Sequence, residues 1–382
     1  MVLDRLAHVP GLARLRAHAR ERGGGLWLVG GAVRDAALGA PVRDLDVAVE
    51  GDAVQVAQAL GEVLEEHDRF VTAEALVDGT KVNFAATRTE TYAHPGALPD
   101  VRLGATIDAD LRRRDFTVNA IAVALDDGRE VAFPGAREDL DARRLRVLHE
   151  RSFADDPTRA YRMVRYAVRL GLDIEPQTAA LARAADPSTV SDDRIANEVR
   201  LMLGEADAIR TLTAAAELLG AAAVPPVDAA RAAAAMPLLP EDGRADLLLL
   251  GSAGDPAAAA EWAARLGEPL PGIRRARRAA QARAVAGELR AAATPAEIAA
   301  VGRREPPEAI ALAATYGAEA PAQEWLTRLR HVRLQITGDD LLAAGVPEGP
   351  EVGAALRRAL DDRLNGLIEP TRDAELRAAL GR

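Results

Sequence analysis

Two short motifs near the start of the chain combine residues suited to phosphate with residues suited to metal. Gly30 and Gly31 follow the apolar run 26–29. A glycine turn at the start of a helix lets backbone N–H groups approach an anion. Asp44 and Asp46 follow, and two carboxylates one residue apart project from the same face of a strand. Such a pair can hold Mg²⁺, which activates a hydroxyl and stabilises leaving pyrophosphate, so the pattern predicts nucleotidyl transfer.

These motifs need strands and short helices to position them. Segments with the composition of strands are 26–29, 45–49, 82–86 and 121–125. Segment 32–38 has the pattern of a helix, and Arg34 lies one turn into it, within reach of an anion at Gly31. From residue 140 onward, helical patterns rich in Ala, Leu and Arg dominate between prolines and glycines. We therefore expect an α/β head followed by an all-helical remainder.

The composition narrows the class of protein. A chain of 382 residues can hold two to four modules, and the lack of cysteine excludes disulfides, zinc–thiolate sites and thiol nucleophiles. The sequence shows neither a basic-then-apolar leader nor an apolar run of about 20 residues, so we expect a cytoplasmic protein with no membrane partner. The net charge of −10 argues against indiscriminate nucleic-acid binding. Because Lys81 is the only lysine, arginine must supply nearly all cationic recognition.

A third motif contains three adjacent arginines, Arg112, Arg113 and Arg114. Three consecutive residues cannot all share one face of a helix, so at least one arginine can point toward a bound nucleotide. Asp115 and Asn119 follow, and they are suited either to binding ribose or to orienting an arginine. Taken alone, the segment is as typical of a structural role as of a binding one.

A fourth motif places Asp156, Arg159, Arg162 and Arg165 three residues apart, so they form a row that drifts slowly around a helix. Asp156 suits the N-cap and Pro157 the first turn. One interpretation is a capped helix with a solvated arginine face. The other is a site for a nucleotide base, because a carboxylate accepts from an exocyclic amine while an arginine donates to a ring nitrogen or carbonyl. One such pair could accept both C and A, with the other arginines holding phosphates.

A further basic segment lies between residues 273 and 290. Its candidates for binding an RNA backbone are Arg274, Arg275, Arg277 and Arg278. An arginine stripe of this kind can hold phosphates. A solvated helix face explains it equally well.

Together, the motifs resemble those of the bacterial-type (class II) tRNA nucleotidyltransferase and poly(A) polymerase family. The matching segments are 30–35, 44–46, 113–120 and 156–159, followed by a neck motif at 191–198 and, more weakly, a tail of the CCA-adding type at 336–350. The resemblance implies a polymerase-β-like nucleotidyltransferase head with all-helical neck, body and tail. The implied bounds are 1–138 for the head, 139–205 for the neck, 206–300 for the body and 301–382 for the tail.

The resemblance also implies a reaction. The 3′-hydroxyl of tRNA would attack the α-phosphate of CTP or ATP without a template, with Asp44 and Asp46 holding Mg²⁺ and the body and tail gripping the tRNA acceptor arm. The residues implied at the nucleotide are Gly31, Arg34 and Arg114 at triphosphate or ribose, Asp156 and Arg159 at the base, and Arg162 and Arg165 along the site.

One position departs from the family pattern. Asn83 stands where relatives usually carry Glu or Asp, a third carboxylate near the metal. A neutral amide accepts through its carbonyl but carries no charge, so we expect weaker metal binding or hydroxyl activation. The alternative is that Asn83 packs at a strand edge and the alignment is one residue off.

Segment 88–111 bears on which nucleotides are added. Relatives restricted to adding C are expected to lack much of this loop, whereas here its length is near that of the full loop. This favours an enzyme that adds CCA, or its terminal A. The alternatives are an A-only or CC-only member of a split system, a poly(A) polymerase, a nucleotidyltransferase for small molecules, and a non-catalytic RNA-binding protein.

Overall fold

The computed structural model describes residues 2–42, 44–67 and 71–382. The chain divides into two compact units, Met1–Glu198 and Val199–Arg382. The neck–body boundary expected at residue 205 therefore falls just inside the second unit.

All strands of the described residues belong to the first unit. They are β1 (Leu26–Val29), β2 (Leu45–Val49), β3 (Glu62–His67), β4 (Thr72–Val77), β5 (Thr80–Ala86), β6 (Arg88–Thr91), β7 (Asp100–Leu103), β8 (Ile121–Ala124), β9 (Glu130–Ala132), β10 (Arg144–Leu145) and β11 (Asp173–Ile174). Seven of them form one sheet in the order β3-β4-β5-β2-β1-β8-β9. Within it β2 and β5 are parallel and all other neighbours antiparallel. The predicted strands at 26–29 and 45–49 are confirmed at both ends.

The sequence of the central strands explains their position. Every residue of β1 and β8 is buried, as expected for strands covered on both faces. In β2 the side chains of Leu45, Val47 and Val49 are buried while Asp46 is half-buried. Since side chains alternate along a strand, Asp46 lies on the face opposite to these three.

The helices of the first unit are short and lie between and after the strands. They are α1 (Val2–Arg5), α2 (Leu12–Arg22), α3 (Gly30–Leu38), α4 (Ala53–Leu60), α5 (Ile107–Arg112), α6 (Ala136–Asp141), α7 (Ser152–Asp155), α8 (Thr158–Leu170), α9 (Pro176–Arg183) and α10 (Asp192–Leu203), the last of which crosses the division between the units. Helix α8 begins one residue later than predicted, with Pro157 at the N-cap. Asp156 is therefore not the N-cap residue, although its Oδ1 accepts a hydrogen bond from the backbone N–H of Thr158, the first helical residue, at 3.0 Å.

The described residues of the second unit beyond α10 are helices and their connections. The helices are α11 (Ala208–Leu219), α12 (Ala229–Ala235), α13 (Ala245–Ser252), α14 (Pro256–Arg265), α15 (Leu270–Ala280), α16 (Ala282–Ala291), α17 (Pro295–Gly302), α18 (Pro307–Ala313), α19 (Glu319–Thr327), α20 (Gly338–Ala343), α21 (Pro350–Leu364) and α22 (Arg372–Ala379). Several have proline in the first turn, where its missing N–H costs nothing. Alanines such as Ala232 and Ala235 are fully buried, so this alanine-rich region packs in the core.

An all-helical neck is wrong in one detail, because β10 and β11 form a parallel pair of two residues each. The expected boundaries at 138 and 300 fall inside α6 and α17, and as domain boundaries they stay predictions.

Across the described residues, no helix has both the length and the apolar character needed to span a bilayer.

Candidate functional site

The site begins at the turn between β1 and α3. Gly30 has φ of +63°, a conformation that favours glycine. A Cβ built on Gly30 would lie 3.1 Å from Nη1 of Arg114, and one on Gly31 would lie 3.7 Å from Oδ2 of Asp46. The two glycines therefore leave space where the start of α3, a carboxylate and an arginine meet. Backbone N–H groups at such a helix start can receive an anion.

The paired carboxylates lie beside this turn. Strand β2 begins at Leu45, so Asp44 occupies the exposed bend before it rather than the strand itself. Burial raises the pKa of Asp46 above its usual value, and the nearby charge of Asp44 adds to the rise. A hydrogen bond from Asn83 and the charge of Arg114 oppose it. The two carboxylates are thus close enough to interact.

Asn83 is the cross-strand neighbour of Asp46. The parallel register of β2 and β5 pairs the two residues directly, which places them on the same face of the sheet. Nδ2 of Asn83 donates to Oδ1 of Asp46 at 3.1 Å. The structure therefore places Asn83 beside Asp46, and its correspondence to a third carboxylate in relatives stays a prediction.

The donor set suits a divalent ion that takes part of its coordination from substrate. Among the described residues no group of three or more His, Asp or Glu side chains could hold a metal. Asp44 and Asp46 alone would supply the protein oxygens. Mg²⁺ is commonly held by one or two carboxylates together with phosphate oxygens and water. The residues present fit that mode of binding.

Arg34 lies beneath the turn and is only 2% exposed. Its Nε donates to Asp35 at 2.8 Å and its Nη1 to Oδ1 of Asn119 at 2.6 Å. Its guanidinium also stacks on Tyr166, 5.0 Å from the ring centroid. Nη2 lies 3.5 Å from the position of a Cβ on Gly31. Arg34 thus places a fixed positive charge directly behind the turn.

Two of the three adjacent arginines share a buried carboxylate on α5. Asp110 is 1% exposed and accepts from Nε of Arg113 at 2.9 Å and from Nη2 of Arg114 at 3.0 Å. Burial by itself would raise the pKa of Asp110, but the two arginines outweigh it and the pKa is lowered. Asp110 therefore stays charged and holds Arg114 toward Gly30.

The arginines of α8 are not a solvated face. Arg162 donates to Oδ2 of Asp115 at 3.2 Å and to Oε1 of Glu198 at 3.3 Å, and Arg165 is ion-paired with Glu198 at 3.6 Å. Oδ1 of Asp115 accepts from Nδ2 of Asn119 at 2.9 Å. Burial favours a raised pKa for Asp115, yet Arg162 and Asn119 lower it overall. Asp115 and Asn119 therefore orient arginines, one of the two roles that the sequence left open.

The carboxylate of Asp156 is held by Thr158 and by Arg194. Its Oδ1 accepts from the backbone and hydroxyl of Thr158 at 3.0 and 2.6 Å. Nη2 of Arg194 approaches the same oxygen at 2.8 Å, while Nη1 of Arg194 donates to the carbonyl of Gly96 at 3.3 Å. Arg194 thus links Asp156 to the loop between β6 and β7.

Arg159 is 5% exposed and is fixed by three acceptors. Its Nη1 donates to Oγ of Ser152 at 2.9 Å. Its Nη2 donates to the carbonyl of Arg113 at 3.1 Å and to the hydroxyl of Tyr92 at 3.4 Å. Arg159 therefore lies between α7, the end of α5 and the start of the β6–β7 connection.

Four residues that position the others are not among those predicted from the sequence: Glu90, Tyr92, Asp110 and Arg194. Asp110 had a signal, because it precedes Arg113 and Arg114 by three and four residues on a helix. Glu90, Tyr92 and Arg194 contact Arg113, Arg159 and Gly96 across 23, 67 and 98 residues, and the sequence carries no comparable signal for these contacts.

Two of the four arginines predicted to bind RNA have acidic partners. On α15, Arg275 donates to Glu308 at 2.5 Å and Arg278 donates to Glu305 at 2.5 Å. Glu308 is fully buried, so these ion pairs hold α15 against α18 and the segment before it.

The other two predicted arginines, Arg274 and Arg277, are exposed. They lie three residues apart and so on one face of α15. The guanidinium groups on this face are accessible to phosphates, whereas those of Arg275 and Arg278 are engaged in ion pairs.

Comparison with known proteins assigns the chain to a family. A model of the Poly A polymerase head domain matches residues 26–146. A CC-adding tRNA nucleotidyltransferase of Deinococcus radiodurans is 34% identical over 376 residues, which cover 93% of this chain and 90% of that protein. The chain belongs to the tRNA nucleotidyltransferase family. This membership confirms the resemblance seen in the motifs, and the family generally uses a divalent metal.

Relatives named as A-adding tRNA nucleotidyltransferases match this chain as well. An A-adding tRNA nucleotidyltransferase of Halalkalibacterium halodurans is 39% identical over 220 residues, 54% of this chain and 51% of that protein. The chain spans about half the length, or less, of the A-adding relatives that it matches. A solved CCA-adding enzyme in an apo form has a TM-score of 0.83 over 100% of this chain and 98% of that one, at 24% identity. The fold of an α/β head with a mostly helical remainder is thereby confirmed.

Proposed function

We propose that the protein adds CCA, or its terminal A, to the 3′ end of tRNA from CTP and ATP, without a nucleic-acid template. One observation carries the proposal: Asp46, the Gly30-Gly31 turn and Arg114 meet within 4 Å of the space that the glycines leave open. A carboxylate, backbone N–H groups and a guanidinium converging on one point suit a metal-bound triphosphate. The names of the relatives support tRNA as the second substrate.

In the proposed reaction the terminal 3′-oxygen of tRNA forms a bond to the α-phosphorus of the nucleotide. The bond from that phosphorus to the bridging oxygen breaks, pyrophosphate leaves, and the hydroxyl proton passes to solvent. Asp44 and Asp46 would hold Mg²⁺, which supplies activation of the hydroxyl and charge neutralisation on the leaving group. The start of α3 and Arg114 would bind the triphosphate, and Arg34 behind the turn would add positive charge.

Base selection is proposed for Asp156 and Arg159. Cytosine and adenine each offer an exocyclic amine to a carboxylate and a ring nitrogen to an arginine. Arg194 and Thr158 hold Asp156 in place, and Arg159 is fixed by its own acceptors. Side chains held in advance lose little entropy when a base binds. Arg162 and Arg165 would line the site below them.

The choice between CCA and a single A rests on the segment between β6 and β7. Strands β6 and β7 form a hairpin, and the carbonyl of Gly96 in their connection accepts a hydrogen bond from Arg194, a partner of Asp156. The presence of this connection supports addition of the final A. Relatives include both A-adding and CC-adding proteins, so an A-only or CC-only role in a split system is the proposed alternative.

The tRNA acceptor arm is proposed to contact the second unit through its phosphates. Arg274 and Arg277 are the candidates there, because Arg275 and Arg278 are paired with carboxylates. A tRNA substrate would place the reaction in the cytoplasm.

The test uses tRNA transcripts ending before CCA, after C, and after CC, with Mg²⁺ and labelled CTP or ATP, separately and together. Extension of all three to CCA establishes the full activity, and extension of the CC-ending transcript alone establishes an A-adding enzyme. Asp46→Asn should reduce extension about 100-fold or more, because it removes a charge aimed at the reacting centre. Asp52→Asn is the matched control, since this exposed N-cap of α4 tolerates either residue. tRNA binding without any extension would refute the catalytic proposal.

A further inference from the structure

Tyr166 lies on α8, and its ring contacts three guanidinium groups. Those of Arg34, Arg165 and Arg169 lie 5.0, 5.1 and 5.1 Å from the ring centroid. Each distance is within the range of a cation–π contact, in which the negative face of an aromatic ring attracts a cation. The ring of Phe116 meets that of Tyr166 in a T-shaped contact with the centroids 6.1 Å apart. The ring is therefore held by packing as well as by the cations.

The ring attracts these cations without neutralising them. Burial raises the pKa of Tyr166 above its ordinary value, and the charge of Asp115 adds to the rise, whereas nearby arginines oppose it. The phenol therefore keeps its proton at neutral pH. A carboxylate in this place would cancel one positive charge, but an aromatic face holds a guanidinium and leaves its charge available to an anion.

Among the three cations, Arg34 connects the ring to the Gly30-Gly31 turn. Asp35 of the same helix accepts from its Nε at 2.8 Å, and Asn119 accepts from its Nη1 at 2.6 Å. Tyr166 adds a contact from α8 to these two. Since Nη2 of Arg34 lies 3.5 Å from the position of a Cβ on Gly31, a small shift of the guanidinium changes the charge that the turn presents.

We propose that Tyr166 is a positioning residue that holds Arg34 behind the turn and so sets the affinity of the site for the triphosphate, whichever base the nucleotide carries. The effect is independent of the base because it acts through Arg34, and the base is assigned to Asp156 and Arg159. The inference rests on the proposed function and deepens it, since it assigns affinity for the triphosphate to a residue outside the predicted site.

The test compares Tyr166→Leu, which removes the aromatic face, with Tyr166→Phe, which keeps it. The probe is inorganic tripolyphosphate in Mg²⁺, titrated by calorimetry, because it carries the phosphates of the substrate without base or ribose. We expect Tyr166→Leu to weaken its binding about fivefold, as for the loss of one cation–π contact, and Tyr166→Phe to change it less than about twofold. In Tyr166→Leu, the KM values for CTP and ATP on the same tRNA should rise by equal factors.

Tyr316→Leu is the matched control. The ring of Tyr316, a tyrosine of the second unit, contacts the guanidinium of Arg231 at 4.6 Å. The control therefore removes the same kind of ring and the same kind of cation–π contact. We expect the two leucine variants to lose comparable thermal stability, whereas tripolyphosphate binding weakens in Tyr166→Leu alone. Equal weakening in both variants overturns the inference.

A second measurement avoids the loss of packing volume that leucine causes. Phenylalanines carrying one, two or three fluorines, incorporated at Tyr166, keep the shape of the ring and withdraw electron density from its face in steps. The dissociation constant for tripolyphosphate should rise about twofold with each fluorine, because the cation–π attraction weakens. A constant affinity across the series overturns the inference.

Failure of the proposed function is distinguishable from failure of this inference. If the wild-type protein extends no tRNA, the proposed function is refuted, and the tripolyphosphate titration still decides the role of Tyr166. Weaker binding in Tyr166→Leu, with binding retained in Tyr166→Phe, supports that role. The role is overturned if the wild type does not bind tripolyphosphate, if both variants lose affinity equally, or if the KM values for CTP and ATP change unequally.

Discussion

At the scale of the residue, the side chain of Asn83 determines the charge of the candidate metal site. The side-chain amide of Asn83 donates a hydrogen bond to Asp46 at 3.1 Å. A carboxylate at the same register position would instead repel the carboxylate of Asp46. The site therefore carries the two charges of Asp44 and Asp46. Each further carboxylate would strengthen attraction to a divalent ion but destabilise the protein when no ion is bound.

Asn83→Asp tests this balance. We expect the affinity for Mn²⁺, titrated by electron paramagnetic resonance, to rise about tenfold, which corresponds to about 1.4 kcal/mol. Without metal, the free energy of unfolding in urea should fall by about 1 kcal/mol, because like charges would face each other across the strands.

The matched control for this change is Asn365→Asp in the second unit. Oδ1 of Asn365 accepts from the backbone of Ala296 at 3.0 Å, and a carboxylate keeps that bond. Its Mn²⁺ affinity should equal that of the wild type. An unchanged affinity in Asn83→Asp would show that Asn83 does not influence the metal site.

At the scale of the element, local patterns predicted the strands and the turn but not the contacts of the arginines. The apolar run of β1 and the alternation of apolar and polar residues in β2 determine which side chains are buried. The bounds of both strands therefore follow from the sequence. The register that pairs Asp46 with Asn83 depends on the whole sheet. Arg34 donates to Asn119, 85 residues away in the sequence, and Arg159 donates to Tyr92, 67 residues away. Such partners follow from the packing of elements, which periodicity does not encode.

The role of the glycine turn at the start of helix α3 can be tested, because glycine lies at both ends of this helix. Gly30 and Gly39 have φ of +63° and +73°. Alanine at either position should cost about 1–2 kcal/mol of stability, since a left-handed backbone disfavours a Cβ. Gly30→Ala should also weaken binding of CTP and ATP, because its Cβ would lie 3.1 Å from Arg114.

Gly39→Ala is the control, since a Cβ there meets nothing within 4 Å. Urea unfolding should show similar losses for both variants, whereas calorimetric titration with nucleotide should separate them. Equal nucleotide affinities would mean that the turn does not contact the triphosphate.

At the scale of the whole molecule, the charge balance determines how RNA can be bound. With 58 acidic against 48 basic residues, the average field of the protein repels a polyanion. Many arginines are also neutralised locally, as Arg275 and Arg278 are by buried carboxylates. The proposed binding of tRNA must therefore depend on arginines that are exposed and grouped.

Arg274 and Arg277 are such a group, and changing both to Gln tests their role. The dissociation constant for labelled tRNA should rise, and the slope of its logarithm against the logarithm of salt concentration should fall by up to about 2, one for each lost phosphate contact. The control changes Arg304 and Arg328 to Gln, which removes the same charge from exposed arginines that are paired with Glu288 and Glu324. Equal effects in both double variants would attribute the loss to net charge, whereas an effect confined to α15 would identify that face as the RNA contact.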